Sequence, residues 1–227
     1  MVINELPRIT DVLFFEEGEE VNFVRDVVTV PSGTAACSVG QVLGMQKIGP
    51  ASSAAKTGGN TGAGTLTMDA TTPELANVKV GVYTVSVLAV GTVTVTDPNG
   101  AIVGEFTYGA GATVTFANEL KFAFTDDGTT HFVAGDGFVV TVAAGPGKYV
   151  PVNATAIDGT QNAAAVLLAG FAATLAADTA FVVADRGPCG LKATGLLFPS
   201  GATAPQIANW TAQLTALGMI VQAGFGV

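Results

Sequence analysis

Few side chains in this sequence are of the types that perform catalysis. His131 is the only histidine. It lies beside a turn with no Ser or Cys nucleophile motif near it, so we interpret it as a surface residue. Cys37 and Cys189 are the only cysteines, too few for a structural zinc site. They could pair as a disulfide, but the favoured interpretation is two small, buried apolar side chains.

Acidic and glycine-rich segments do not indicate a cofactor site either. The acidic run at 16–20 lacks the fixed spacing of a calcium loop. Asp126, Asp127 and Asp136 are interpreted as turn residues first and calcium ligands only second. The glycine-rich segment 58–64 has no Lys-Ser/Thr ending and opens no predicted helix, so it is not a phosphate loop. The sequence therefore predicts no metal, no cofactor and no enzymatic activity.

Composition excludes two further classes of protein. The net charge is −9, whereas phosphate recognition requires clustered Lys and Arg, so no nucleic-acid partner is expected. No apolar run reaches the roughly 18 residues of a membrane helix. Residues 1–10 include Asn4, Glu5 and Arg8 and do not read as a signal peptide. We expect a protein that is made and used in the cytoplasm, with no membrane partner.

Alternating apolar residues between 58 and 145 predict a series of short β-strands, because successive side chains on a strand point to opposite faces. The sets expected to share a face are Tyr83, Val85 and Val87; Val93 and Val95; Ile102, Phe106 and Tyr108; Leu120, Phe122 and Phe124; and Phe138, Val140 and Val142. Thr92, Thr94 and Thr96 are expected on a solvent-exposed face. Turn signals at 97–100, 126–128 and 135–137 separate the strands, which indicates a small β-sandwich.

One helix is predicted near the C-terminus. Thr203 and Gln206 form a capping box, and Gly218 suits the position after the last turn. The residues expected to form its buried stripe are Ile207, Trp210, Thr211, Leu214 and Leu217. Trp210 is interpreted as part of the core and not as a ligand platform. Residues 219–222 can then return as a strand.

The N-terminal segment 1–24 places an acidic run beside two phenylalanines. By itself such a segment is expected to be a solvated arm, because it cannot bury its own surface well. The functional alternative is a segment that docks on a partner and becomes ordered there. Its apolar anchors would be Leu13, Phe14 and Phe15.

Five short motifs outside residues 58–145 resemble those of the phage head decoration proteins, a family that cements capsids. They lie at 28–33, 40–44, 148–151, 158–167 and 214–221. The segment between them is similar to an insert found in some decoration proteins, with marks at 59–66, 81–85, 97–100 and 132–142. The resemblance implies a small β-rich core with one C-terminal helix, interrupted by an inserted β-sandwich.

The predicted organisation is nested. Residues 1–24 form the arm, 25–57 the first half of the core, 58–145 the inserted sandwich and 146–227 the second half of the core. Residues 50–60 have the composition of a linker. We expect the two halves of the core to fold together and the insert to fold separately.

The resemblance implies a structural virion protein that binds the major capsid protein on the outer surface of the phage capsid and stabilises the shell. Family members use N-terminal arms against the shell, so the capsid-contact candidates are Leu13, Phe14, Phe15, Glu16 and Glu17. They commonly act as trimers at three-fold positions, although some related cement proteins use two-fold sites, and we expect a homotrimer here. The alternative is an Ig-like carbohydrate-binding or adhesin module that holds a host-surface glycan through the insert. One Trp and three Tyr offer little aromatic surface for sugar stacking.

Overall fold

The computed structural model describes residues 8–16 and 24–223. The chain divides into two units: unit 1 holds the described residues up to Lys47 and from Gly147 onward, and unit 2 is Ile48–Pro146. In chain order the elements are α1 (Ile9–Val12), β1 (Leu13–Glu16), β2 (Arg25–Val30), β3 (Val42–Met45), β4 (Ile48–Ala55), β5 (Thr65–Met68), β6 (Gly81–Ala89), β7 (Thr92–Thr96), β8 (Ile102–Thr107), β9 (Thr113–Ala117), β10 (Lys121–Thr125), β11 (Gly137–Ala144), β12 (Tyr149–Pro151), β13 (Ala165–Leu167), β14 (Thr179–Ala184), β15 (Cys189–Lys192), a 3-10 turn (Ala193–Gly195), α2 (Ala204–Ala216) and β16 (Met219–Gln222).

The strands form two sheets in each unit. In unit 1, sheet I has the order β12-β3-β13-β14-β2 and sheet II has the order β1-β15-β16. In unit 2, sheet III has the order β4-β11-β6-β7-β8 and sheet IV has the order β5-β10-β9. Neighbouring strands are antiparallel except for β15 and β16, which are parallel. The prediction of a mainly β fold with a C-terminal helix is confirmed.

Sheet I is apolar on both of its faces. On β3, Val42 points into a core cluster shared with the helix α2, while Leu43 points into a smaller cluster on the opposite face. A strand buried on both faces reads as a continuous apolar run instead of an alternating one. β3, Val42–Met45, is such a run, and it pairs on both sides, with β12 and with β13.

Gly44 allows the chain that follows the polar turn at 158–160 to lie against β3. A Cβ atom at Gly44 would lie 2.5 Å from the carbonyl oxygen of Thr160, a contact that would force the backbone to move. The turn itself is held by Asp158, whose Oδ1 accepts hydrogen bonds from the Thr160 amide and hydroxyl at 3.0 and 2.6 Å. Two of the family motifs therefore meet at one close backbone contact.

The helix α2 confirms the capping prediction. The Gln206 side chain accepts a hydrogen bond from the Thr203 amide at 2.8 Å, the reciprocal bond of a capping box. Trp210 and Leu214 are buried, and the Trp210 ring stacks on Phe198. The predicted stripe is narrower than expected, since Leu217 is 39% exposed.

The first described segment, 8–16, differs from the solvated arm that we expected. Strand β1 pairs with β15, and Val12 and Leu13 are buried in the core cluster of unit 1. Close packing is possible because a Cβ atom at Gly195 would lie 2.3 Å from the Asp11 carbonyl oxygen, so only glycine fits there. Val12 and Leu13 therefore pack within unit 1. The rest of the predicted arm, 1–7 and 17–23, lies outside the described residues.

Unit 2 is a sandwich in which sheets III and IV share one aromatic core. The predicted inward sets on β6, β7, β10 and β11 are buried. Ile102 is an exception, at 63% exposure, because a bulge between β7 and β8 changes the register and pairs it with Thr96. Thr94 also differs from the prediction. It is 6% exposed, and its hydroxyl bonds to Glu105 on the neighbouring strand.

The segment predicted as a linker, 50–60, begins inside a strand. β4 pairs with β11 along most of its length, from Ile48 to Ala55. Its small Ala and Ser residues resemble a linker in composition, but the long neighbouring strand β11 supplies the hydrogen-bonding partner. The boundary between the units therefore falls between residues 47 and 48, ten residues earlier than predicted.

We predict that unit 1 folds without unit 2. The Gly147 amide donates to the Gln46 carbonyl at 3.0 Å, and the Gln46 amide donates to the Lys148 carbonyl at 2.9 Å, so the two chain ends are already adjacent. A variant that lacks residues 48–146, with Lys47 joined to Gly147, should unfold in one cooperative transition reported by Trp210 fluorescence.

A matched variant that lacks residues 59–145 keeps β4 but loses its partner β11. We expect it to be less soluble, because an unpaired strand edge promotes aggregation. If the variant lacking 48–146 shows no cooperative transition, unit 1 depends on unit 2 and the two are not independent domains.

Candidate functional site

The candidate residues at 13–16 form strand β1 of sheet II. Among the strands of residues 8–16 and 24–223, β1 pairs with β15 and stands first in the sheet order. Leu13 faces the core opposite Leu191 and is 6% exposed, whereas Phe14 is 37% and Phe15 46% exposed. Leu13 is therefore part of the core and is not available to a partner, while the two phenylalanines present apolar surface. Glu17 lies outside the described residues.

An apolar outer patch forms around Gly190 on β15. A Cβ atom at Gly190 would lie 2.5 Å from the Phe14 ring, so the glycine lets this ring lie flat against the strand. Gly190 pairs with Phe15 on one side and with Ile220 on the other. Ile220 is 51% exposed. We call Phe14, Phe15 and Ile220 the outer patch.

Glu16 fixes the end of β1 to the start of β2. Its two carboxylate oxygens accept hydrogen bonds from Arg25 Nε and one terminal nitrogen at 2.6 and 2.7 Å. The hydrogen bond to Glu16 raises the pKa of Arg25. A bidentate pair of this kind orients both side chains, so Glu16 supports the strand that carries the outer patch.

In unit 2, Asp136 holds the glycine-rich segment against the loop before β11. Asp136 is 3% exposed, and its carboxylate accepts hydrogen bonds from the amides of Thr61, Gly62 and Val133 at 2.9, 3.0 and 3.0 Å. A Cβ atom at Gly62 would lie 2.6 Å from the Phe132 amide nitrogen, which explains the glycine. Two of the insert's sequence marks therefore form one loop anchor.

Asp126 anchors a second loop, with His131 beside it. The buried carboxylate accepts hydrogen bonds from the Gly111 and Gly128 amides at 2.9 and 3.2 Å. His131 Nδ1 lies 2.8 Å from Asp126 Oδ2, and the imidazole is 41% exposed. His131 is thus the surface residue that was predicted, but its contact with a buried carboxylate was not foreseen.

A third polar cluster joins Lys79, Asp97, Glu119 and Tyr83. The Lys79 amine lies 2.6 Å from Asp97 Oδ2 and 2.9 Å from Glu119 Oε1. The Tyr83 hydroxyl donates to Glu119 Oε2 at 2.6 Å, and burial raises the pKa of Tyr83 to about 12. The sequence marked Asp97 as a turn residue, but nothing in its spacing pointed to the other three.

The remaining candidate side chains have no visible reactive role. Cys37 and Cys189 are free and buried in different core clusters, as favoured from the sequence. Burial raises the pKa of both thiols, that of Cys189 to about 11. Within residues 8–16 and 24–223, no group of three or more His, Cys, Asp or Glu side chains could hold a metal ion.

The carbohydrate-binding alternative gains no support from unit 2. Its phenylalanine and tyrosine side chains are buried in the sandwich core, except for Phe106, which is half-buried and packs against that core. Sugar recognition by stacking needs an aromatic face that a ligand can reach. As for membranes, no helix in the described part of the chain is long and apolar enough to span one.

Two β-rich units whose buried polar groups hold turns and loops are typical of a structural or binding protein. Comparison with protein families identifies the family to which the chain belongs. Residues 2–219 match the family model of the bacteriophage lambda head decoration protein D. The chain belongs to this family of phage head proteins.

Other comparisons add no argument. No curated protein matches the sequence. Two crystal structures of FlgL from Xanthomonas campestris are similar to 50% and 47% of the chain, at 20% and 24% identity and TM-scores of 0.31. The aligned part spans only 34% and 32% of the FlgL chains. A likeness this loose says nothing about function.

We predict that unit 2 loses stability in acid because of its loop anchors. Backbone hydrogen bonds hold the pKa of Asp126 below its ordinary value. Burial acts to raise the pKa of Asp136, but the three amide donors outweigh it and the net shift is downward. Both groups thus bind fewer protons when folded. Their contribution to the free energy of unfolding is fully present above the unfolded pKa of about 4. It is lost as the pH falls through the lower folded pKa.

The measurement is denaturant unfolding of unit 2 at pH 7 and pH 3. Asp136→Asn places an amide group against backbone donors and should cost roughly 1–3 kcal/mol at pH 7, with a smaller loss at pH 3. Glu105→Gln, at an exposed position on β8, is the control and should leave the pH dependence unchanged. An equal loss for Asp136→Asn at both pH values would contradict the assignment.

Proposed function

We propose that this protein binds the outer surface of the assembled phage capsid, through the major capsid protein, and stabilises the shell. The observation that carries the proposal is the family match over residues 2–219. The outer patch on sheet II adds a physical reason, because exposed aromatic side chains are the commonest anchors of protein interfaces. Stabilisation follows from mass action, since a subunit that binds only the assembled shell lowers the free energy of that state.

The outer patch is the proposed capsid contact. Phe14 and Phe15 present partly exposed rings on β1, at 37% and 46% exposure, where a capsid segment could pack against them. Glu16 acts indirectly, through its ion pair with Arg25. Leu13 is excluded from direct contact by its burial.

We also propose that the protein acts as a homotrimer on the shell. Unit 1 carries little unpaired charge from residue 148 onward. Lys148 pairs with Asp178, Arg186 with Asp26 and Asp185, and Lys192 donates to the Thr10 carbonyl. A surface whose charges are already paired suits burial against another subunit, since interface cores are poor in charge. A closed ring buries such surfaces without forming filaments.

The first test is co-sedimentation of the full chain with assembled capsids, together with the thermal disruption temperature of the shells. We expect binding that saturates and shells that survive to a higher temperature. Shells that neither bind the protein nor gain stability would overturn the proposed function.

The second test addresses the outer patch. Replacing both Phe14 and Phe15 with Ser should weaken capsid binding by ~10-fold or more. A ten-fold loss corresponds to ~1.4 kcal/mol of binding free energy. Truncation of a single interface hot spot typically costs more than that. The melting temperature of the free protein should change little. Ile102→Ser removes an apolar side chain from unit 2 that is more exposed than either phenylalanine, and it should leave binding unchanged. Equal binding by the double variant and the control would rule out the outer patch.

Light scattering of the free protein and particle imaging test the trimer. We expect three copies around each three-fold position. Dimers at two-fold positions would refute the trimer while leaving the capsid-binding role intact.

A further inference from the structure

The cluster of Lys79, Asp97 and Glu119 has the geometry of a reaction centre for amide formation. The Lys79 amine lies between two carboxylates, 2.6 Å from Asp97 Oδ2 and 2.9 Å from Glu119 Oε1. The Asp97 side chain is 1% exposed and that of Glu119 12%, whereas the Lys79 side chain retains 39% exposure. A nucleophile and an electrophilic carboxyl group are therefore in contact, with the carboxyl group shielded from water and the amine partly exposed.

Asp97 is also held in the way that an acyl group is held for nucleophilic attack. Its second oxygen, Oδ1, accepts hydrogen bonds from the amides of Asn99 and Ala101 at 2.9 and 2.8 Å. Two fixed backbone donors on one carbonyl oxygen stabilise the negative charge that develops there when a nucleophile adds. Capping of the turn at 97–100 explains these two bonds by itself, but it does not explain why the other oxygen meets an amine.

Glu119 is placed to move protons. One of its oxygens contacts the Lys79 amine, and the other accepts the Tyr83 hydroxyl at 2.6 Å. A carboxylate that is oriented by a third group and lies within hydrogen-bond distance of the nucleophile is the arrangement of a general base. Tyr83 is 0% exposed, so it fixes Glu119 from the core side of the cluster.

We propose that Lys79 and Asp97 condense to an intramolecular amide, an isopeptide bond, with Glu119 as the proton-transfer group. The Lys79 nitrogen adds to Cγ of Asp97 while Oδ1 carries the negative charge. The Cγ–Oδ2 bond then breaks, and Oδ2 leaves as water with two of the three ammonium protons, relayed by Glu119. One ammonium and one carboxylate become one neutral amide and one water, so no oxidant or other co-reactant is required.

The reaction is expected to be slow. The hydrogen bond to Asp97 raises the pKa of Lys79, and the same bond lowers the pKa of Asp97, so the charged pair dominates at neutral pH. Only the minor form, with the proton moved from the amine to the carboxyl group, can react. The small population of this reactive form is offset by the permanent contact between the two groups, because the reaction is then a unimolecular step and needs no bimolecular encounter.

The bond would close the open end of the hairpin formed by β6 and β7. Lys79 precedes β6 and Asp97 follows β7, so the two chain ends of the hairpin would be joined covalently. Unit 2 would gain resistance to unfolding, because a covalent link restricts the unfolded chain.

The experiment is intact-mass spectrometry of the purified full chain, followed by protease digestion. We expect a mass lower than that of the sequence by one water. For chain isolated in denaturant before it has reacted, this loss should develop over time after refolding. Trypsin should fail to cut after Lys79, and fragmentation should place the link between Lys79 and Asp97. A full-length mass that stays unchanged after prolonged incubation would overturn the proposal and leave the cluster as an ion pair.

Three variants separate this reaction from other losses of water. Lys79→Arg keeps the positive charge but should abolish the mass change completely. Cyclisation at Asp127-Gly128 or Asp158-Gly159 also releases water, but it would persist in that variant and would then count against the proposal. Asp97→Asn should form the same amide with loss of ammonia in place of water. Glu119→Gln should slow the reaction by ~100-fold or more; an unchanged rate would remove Glu119 from the mechanism.

Discussion

The pairing of β3 with both β12 and β13 is the constraint on which the two-unit organisation depends. β3 ends at Met45 and β12 begins at Tyr149, and the two strands pair with Met45 opposite Tyr149. The chain therefore leaves unit 1 and returns to it at adjacent positions. The entropic cost of closing the inserted segment rises only slowly with its length, so a long insertion at this point is tolerated. This explains how about a hundred residues can interrupt sheet I without entering it.

The close contact at Gly44 makes that pairing specific. β3 carries apolar side chains on both faces, so its register is not fixed by a polar face alone. The backbone at Thr160 approaches Gly44 too closely for any other residue. Because a shift of one position would bring Leu43 or Met45 to this contact, the glycine selects one register. The motifs at 40–44 and 158–167 thus meet at a contact between backbones, which requires the glycine at position 44.

The sequence predicted which segments form strands and helices better than it predicted which strands pair with each other. Alternation located β6, β7, β10 and β11 correctly, and the capping box located α2, because these signals are local. The strand β4 was missed since its Ala and Ser residues have no apolar alternation; its existence depends on β11, more than eighty residues later. The inward position of Ile102 was predicted from alternation alone and failed at a bulge, which alternation cannot show.

The polar clusters of unit 2 illustrate the same limit. Asp97, Asp126 and Asp136 were each identified as turn residues, and each does bind backbone amides in its own turn. Their burial comes from partners elsewhere in the chain: Lys79 for Asp97, Gly111 for Asp126 and Thr61 for Asp136. Loops on a sandwich have amides without strand partners, and a buried carboxylate satisfies several at once. Residue type reveals the turn, but only the fold reveals which distant loop it anchors.

In the N-terminal segment, neighbouring residues have different roles, so surface and core roles must be assigned to each residue separately. On β1, Leu13 packs in the core while Phe14 and Phe15 face outward, so a single strand contributes to both folding and the outer patch. A truncation removes both contributions together and cannot distinguish them. Substitutions at Phe14 and Phe15 leave Leu13 in place in the core, whereas the Phe14 ring packs over Gly190 on β15. A capsid would then bind a strand that is already ordered. The entropic cost of ordering residues 13–16 would arise on folding and not on binding.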